Sequence, residues 1–169
     1  MYNFNAKSSI FLEINPDIYH FTNTKYTMDA LQVIKVKKQE ELDEAFAVRR
    51  IVFVEEQNCP PELEWENEEE STHFLALLNN VPCGACRWRK TDQGYKLERF
   101  AVLKDFRGKR IGQAMLAAVL SDLPSDATYI YLHSQVAAMH LYSRFGFAAE
   151  GPQFEEAGIK HFKMVKKQN

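Results

Sequence analysis

The sequence holds no run approaching the roughly 20 apolar residues a helix needs to cross a bilayer, so no membrane partner is expected. It also carries little net charge: −2 at pH 7, with a pI near 6.2. That removes the basic excess on which nucleic-acid binding rests, and no nucleic-acid partner is expected. Cysteine is scarce and odd in number (Cys59, Cys83 and Cys86), with no secretory signal pattern ahead of it. A disulfide framework is therefore not expected, and a reducing, cytoplasmic setting is. Cys83 and Cys86 form a C-x-x-C, but in what reads as a strand, where positions three apart face opposite ways. A redox or metal role for the pair is not expected. Among the histidines, His133 and His140 stand seven apart and His161 is isolated. No helical i, i+4 pair appears, and the prediction is no metal.

What the chain does have is core. Its 169 residues are 46% hydrophobic and include twelve Phe and seven Tyr, which suits one domain with one sizeable interior. Its charge is sorted along the chain. From Gln39 to Glu70 there are twelve acidic residues against two basic ones, and from Arg87 to Arg110 nine basic against three acidic. Either these are solvated loops, or a site meets an anionic ligand at one end and a cationic one at the other.

Residues 1–29 have no clear helical or strand period and read as an extension of uncertain role, with Met28 a possible start of translation. The remaining 30–169 read as one domain. Leu31 to Lys37 is β-rich. Glu40 to Glu55 has helical spacing with acids in its first turn, and Cys59-Pro60-Pro61 stops it. Glu62 to Glu70 is a loop or a ragged helix. His73 to Leu78, Pro82 to Lys90 and Lys96 to Leu103 are strands joined by turns. Gly108 to Leu123 is a helix, Thr128 to His133 a strand and Val136 to Phe145 a helix. Phe147 to Glu150 and Lys160 to Val165 are closing strands around a loop. The order predicts a mixed, mainly antiparallel twisted sheet of about six to seven strands, with helices on both faces.

The most informative stretch runs from Leu97 through Arg107-Gly108-Lys109-Arg110-Ile111-Gly112-Gln113. A strand passes through a short loop into a helix whose apolar residues, from Ile111 to Leu123, cover most of its circumference, so it should be buried. Its start carries two glycines and three cations but no Ser, Thr or Asn to cap it. Free amides, the positive end of the helix dipole and small residues suit an anion, phosphate above all. The plainer alternative is a glycine-containing turn with cations facing solvent.

This run resembles the pyrophosphate-binding motif Arg/Gln-x-x-Gly-x-Gly/Ala of the GNAT N-acetyltransferase superfamily, with Arg110 standing where the family usually has its central glycine. His133 to Phe147 is similar to the family's A-x-x-x-Y-x-x-x-G-F helix and turn, with Tyr142 and Gly146-Phe147 in place. Arg49 to Gln57 resembles the R-x-x-V-F-V-x-E-Q signature of the ElaA-like branch, with Arg49 in register and Arg50 one position off. Together the matches span Leu31 to Lys166.

The resemblance implies acetyl-CoA as co-substrate and transfer of its acetyl group to a primary amine of a small acceptor. It implies a CoA site formed by Phe100, Ala101 and Val102 on the strand, by Arg107, Gly108, Lys109, Arg110, Ile111, Gly112 and Gln113 in the cradle, and by Gln135. Tyr142 would protonate the departing thiolate. Family habit makes a homodimer an expectation. Glu98, acting through water, is the favoured base, with Glu56 and His73 as alternatives. An amide near Ala101 or Val102 would serve the developing oxyanion if the strand splays there. The rival reading is a catalytically inactive module that binds acyl-CoA as a sensor.

Overall fold

Alternating side chains along residues 71–102 build the centre of the molecule. Phe74, Ala76 and Leu78 bury on one side and Leu75 on the other, and each set has its own helix to cover it. A computed structural model describes residues 30–167, and the extension at 1–29 lies outside the described residues.

Eight strands form one sheet: β1 (Leu31–Lys35), β2 (Ser71–Leu78), β3 (Val81–Thr91), β4 (Gly94–Val102), β5 (Ile130–Gln135), β6 (Phe147–Ala149), β7 (Phe154–Glu156) and β8 (Ile159–Lys166). Their order is β1-β2-β3-β4-β5-β8-β6, with β7 pairing on β8. Every pairing is antiparallel except β4 with β5. The sheet exceeds the expected six to seven strands because the presumed loop at 151–158 contains β7. Its turn, Ala157-Gly158, has φ of 48° and 76°. An alanine in the left-handed region conceals a turn that two glycines or Asn-Gly would have announced.

The helix α1 (Gln39–Arg49) packs Ala45 and Val48 against Leu75, Ala85 and Ala101. It does not continue as an α-helix to Glu55. Residues Arg50–Glu56 widen into a π-helix, which Asn58 ends in a left-handed conformation (φ 55°), with the Cys59 amide donating to the Phe53 carbonyl at 2.9 Å. The stop thus comes one residue before Cys59-Pro60-Pro61. Pro61 opens a single turn, α2 (Pro61–Glu64), at the first helical position, where its missing N–H costs nothing.

On the opposite face α3 (Ile111–Asp122) buries Ile111, Met115, Leu116 and Val119. Each such side chain contributes about 1.5–3 kcal/mol relative to exposure. The stretch expected as a helix from Val136 to Phe145 forms a tight turn at Val136–Ala138 and a short α4 (Met139–Ser143). Gly146, at φ 83°, then returns the chain to Phe147.

One strand-phase expectation fails. Cys83 and Cys86 lie in the same core cluster, not on opposite faces. The β2–β3 register moves from Ala76↔Gly84 to Leu77↔Pro82, so Cys83 is the extra residue of a bulge, and the phase changes there. Burial pushes both thiols up, that of Cys83 to about 11, which leaves them protonated and unreactive.

Candidate active site

A second bulge shapes the centre of β4. Ala85 faces Ala101 and Arg87 faces Glu98, so Cys86 on β3 is opposed by both Arg99 and Phe100. Arg99 absorbs the change at φ 57°. Its guanidinium secures that conformation, donating to the Leu63 carbonyl at 2.5 Å and pairing with Glu64 at 2.8 Å. Just ahead of the bulge β4 leaves β5. Their parallel pairing runs Tyr95↔Ile130, Lys96↔Tyr131 and Leu97↔Leu132 and stops, although β4 continues to Val102 and β5 to Gln135. The strands diverge into a wedge bordered on one side by Phe100, Ala101 and Val102.

The chain then turns through Lys104–Phe106 into Arg107-Gly108-Lys109-Arg110 and enters α3. Arg110 is the N-cap residue and is left-handed (φ 60°, ψ 16°), with no side-chain cap. The backbone therefore follows a glycine-like path although the residue is not glycine, at a cost of about 1–2 kcal/mol. Gly108 is also at positive φ, 80°. The amides of Gly108 to Gln113 donate to no acceptor among the described residues, and no acid stands in the first turn of α3. Such a helix start is electrostatically and geometrically fit for an anion. A Cβ on Gly112 would come within 3.2 Å of Leu141, so the first turn of α3 lies close against α4.

The cradle's side chains are less free than its backbone. Arg107 donates from both terminal nitrogens to Glu56 at 2.7 Å each and from Nε to the Val102 carbonyl at 3.0 Å. The hydrogen bonds from Arg107 hold the Glu56 carboxyl below its usual range. The Lys109 ammonium rests over Phe106, and the Ile111 side chain is in the core. Gln135, at the end of β5, donates to Gln57 at 2.9 Å.

Tyr142 is buried beside the β4 bulge, its ring edge-on to Phe100 at 5.8 Å and near Phe147 at 6.2 Å. Burial, with Cys86 close by, pushes its phenol well above the usual tyrosine range, so Oη keeps its proton at neutral pH. No other described residue holds that hydroxyl in a hydrogen bond.

Glu98 is brought to this strand but not into the wedge. It pairs with Arg87 at 3.0 Å, Arg89 at 3.1 Å and Lys96 at 2.9 Å. Burial alone would raise its pKa, but the three cations, Lys96 foremost, lower it to about 2. So strongly held a carboxylate is a poor proton acceptor, which speaks against the base expected there. His73, another expected alternative, is buried on the row His73↔Arg87↔Glu98, and burial lowers its pKa.

These residues belong to a charged cluster on the α1 face that the sequence did not reveal. Arg49, fully buried, pairs with Glu64 at 2.6 Å and with Glu68, and its guanidinium lies over Phe46 and Trp65. Glu68 also reaches Arg87 at 2.7 Å and His73 at 3.4 Å. Burial raises the Glu64 carboxyl against the pull of Arg49 and Arg99, the two guanidiniums in direct contact with it. Of the two consecutive arginines, Arg49 is buried and Arg50 exposed. A cleft of about 510 Å³ lies towards the β1–β2 edge, lined by Lys37, Leu42, Phe46, Glu68 and His73, away from the wedge. Among the described residues no group of His, Cys, Asp or Glu is arranged to hold a metal, and no helix is long and apolar enough to cross a membrane.

Residues 34–168 match the family described as Acetyltransferase (GNAT) domain. This chain belongs to the GNAT acetyltransferases. Among its curated relatives is the uncharacterized N-acetyltransferase YjcF of Bacillus subtilis, 37% identical over 140 residues, which span 80% of this GNAT chain and 99% of that relative. The crystal structure of Escherichia coli ElaA matches with a TM-score of 0.69 and 25% identity, covering 83% of this chain and 100% of that one. An acetyltransferase from Bacillus subtilis solved in complex with CoA shares the fold at a TM-score of 0.64 and 14% identity, covering 82% and 99%.

Proposed function

We propose that this GNAT chain transfers an acetyl group from acetyl-CoA to a primary amine of a small acceptor. The observation that carries the reading is the parting of β4 from β5 after Leu97↔Leu132, on the strand that leads through a short turn into a helix start whose amides are unengaged. The structural neighbour solved with CoA supports it.

When bound, acetyl-CoA supplies an acyl group activated as a thioester. The amides of Gly108 to Gln113, aided by the helix dipole and the exposed cations of Lys109 and Arg110, hold the pyrophosphate. Arg107 acts mainly as a tie that fixes the loop to Glu56 and to the end of β4. The free edge of Phe100, Ala101 and Val102 receives the pantetheine amides in the manner of an added strand and offers an N–H to the thioester oxygen. Tyr142 keeps its proton at Oη, would donate it to the leaving sulfur and would recover one from water before the next turnover. Glu98 anchors the strand instead of drawing a proton. The amine gives its proton to water, and orientation within the wedge supplies much of the acceleration.

Glu64 and Glu68 are consumed in ion pairs, so the acidic run offers an acceptor fewer carboxylates than its composition suggests. The test is acetyl-CoA turnover, read as thiol release, against a panel of polyamines, aminosugars and lysine derivatives. Turnover with an amine that falls by about 10²-fold in Tyr142→Phe supports the reading. Tight acetyl-CoA binding without thiol release across the panel would favour an acyl-CoA sensor instead.

A further inference from the structure

Two consecutive residues at the end of the π-helix grip the two strands that part. Glu56 binds Arg107, whose Nε holds the Val102 carbonyl at the end of β4. Gln57 accepts from Gln135 at the end of β5, at 2.9 Å. The first tie is exposed and the second half-buried. The π-helix packs Val52 with Ala101 on the α1 face, whereas Tyr142 and the start of α3 belong to the core on the other face. The Gln57–Gln135 bridge thus joins the π-helix of the α1 face to the end of β5, while Tyr142 and the start of α3 stand on the other face.

We propose that this bridge limits the length of the acyl group the wedge accepts. The inference rests on the acyl-CoA reading given above. Both partners are neutral amides, joined by a single hydrogen bond from Gln135 Nε2 to Gln57 Oε1, so the bridge neither recruits a charged amine nor moves a proton. It acts as a wall. A two-carbon acyl group ends short of it, whereas a longer chain must part the two amides and leave both half-buried and unpaired, a penalty on binding that acetyl does not meet. The extra turn width of the π-helix, following directly on α1, sets Glu56 and Gln57 at the reach of the two strand ends.

The test is calorimetric titration of the full chain and of Gln57→Ala with free CoA, acetyl-CoA and hexanoyl-CoA. The intact chain is expected to bind free CoA and acetyl-CoA alike and hexanoyl-CoA about tenfold more weakly, and Gln57→Ala to bring hexanoyl-CoA to within about threefold of acetyl-CoA. Gln57→Asn, which shortens the arm by one methylene, should fall between them and serves if the alanine variant does not fold. Equal affinity of the intact chain for acetyl-CoA and hexanoyl-CoA overturns the proposal, as does a ratio unmoved by either variant. Failure of the intact chain to bind even free CoA removes the acyl-CoA reading itself, and that arm tells the two failures apart.

Discussion

The two faces of the sheet are organised by opposite means. On the α3 face the site is made of backbone: amides of Gly108 to Gln113 without acceptors, a left-handed Arg110, and strand edges that have lost their neighbour. On the α1 face it is made of charged side chains drawn inward and paired, with Arg49, Glu64, Glu68, Arg87 and Glu98 linked into one cluster. The first arrangement leaves hydrogen-bonding capacity for a ligand. The second uses its capacity internally and keeps α1, α2 and the bulged β4 in fixed relation. A helix start of this kind offers an anion dipoles that need no desolvated side-chain charge. The ion pairs stay where they hold the frame.

Four changes would break or sharpen that contrast. The largest effect is expected on the α1 face. Arg87→Leu strands Glu68 and Glu98 without their shared partner and should lower unfolding stability in urea by about 3–5 kcal/mol. A loss below 1 kcal/mol would mean the cluster is not a frame. Acid should act on the same face. A carboxyl lowered to about 2 stabilises fully above its unfolded value near 4.5 and loses that contribution as pH falls towards 2. The loss is on the order of 3 kcal/mol, and it should be flattened in Glu98→Gln, read as melting temperature against pH. At the wedge, Tyr142→Phe should reduce kcat by about 10²-fold while leaving stability nearly unchanged, the reverse of the pattern on the α1 face. The smallest effect belongs to the cradle's strained residue. Arg110→Gly relieves a positive φ and should raise unfolding stability by about 1 kcal/mol.

The same contrast explains what could be read from the sequence. The cradle was legible because a loop and a helix start are local. Arg107 to Gly112 are neighbours in the chain, and glycine spacing with an uncapped apolar helix announces them. The succession of strands along the chain, β7 apart, was legible from alternation and turns. The α1 face was not, because its cluster joins residues near 49, 64–68, 87 and 98, which meet only through the register His73↔Arg87↔Glu98 and the fold of α2 over β4. Strand phase could not tell which face Glu98 occupies, and it misplaced Cys83 relative to Cys86, since a bulge inserts one residue and leaves no mark in composition. The roles of Glu56 and Gln57 stayed hidden for a related reason. A helical pattern carries no sign that its last turns widen to π geometry and reach two separate strands. The missing glycine at 110 proved a smaller departure than its identity implies, since the backbone adopts the left-handed turn regardless.

The central claim is that unengaged amides at the start of α3 hold the pyrophosphate of CoA. The direct measurement is calorimetric titration of the intact chain and of Gly112→Asp with acetyl-CoA. That variant sets a Cβ within 3.2 Å of Leu141 and a negative charge among those amides. The account predicts a dissociation constant of roughly micromolar order for the intact chain and at least about a hundredfold loss in the variant. No binding by the intact chain, or equal binding by a folded Gly112→Asp, would contradict it.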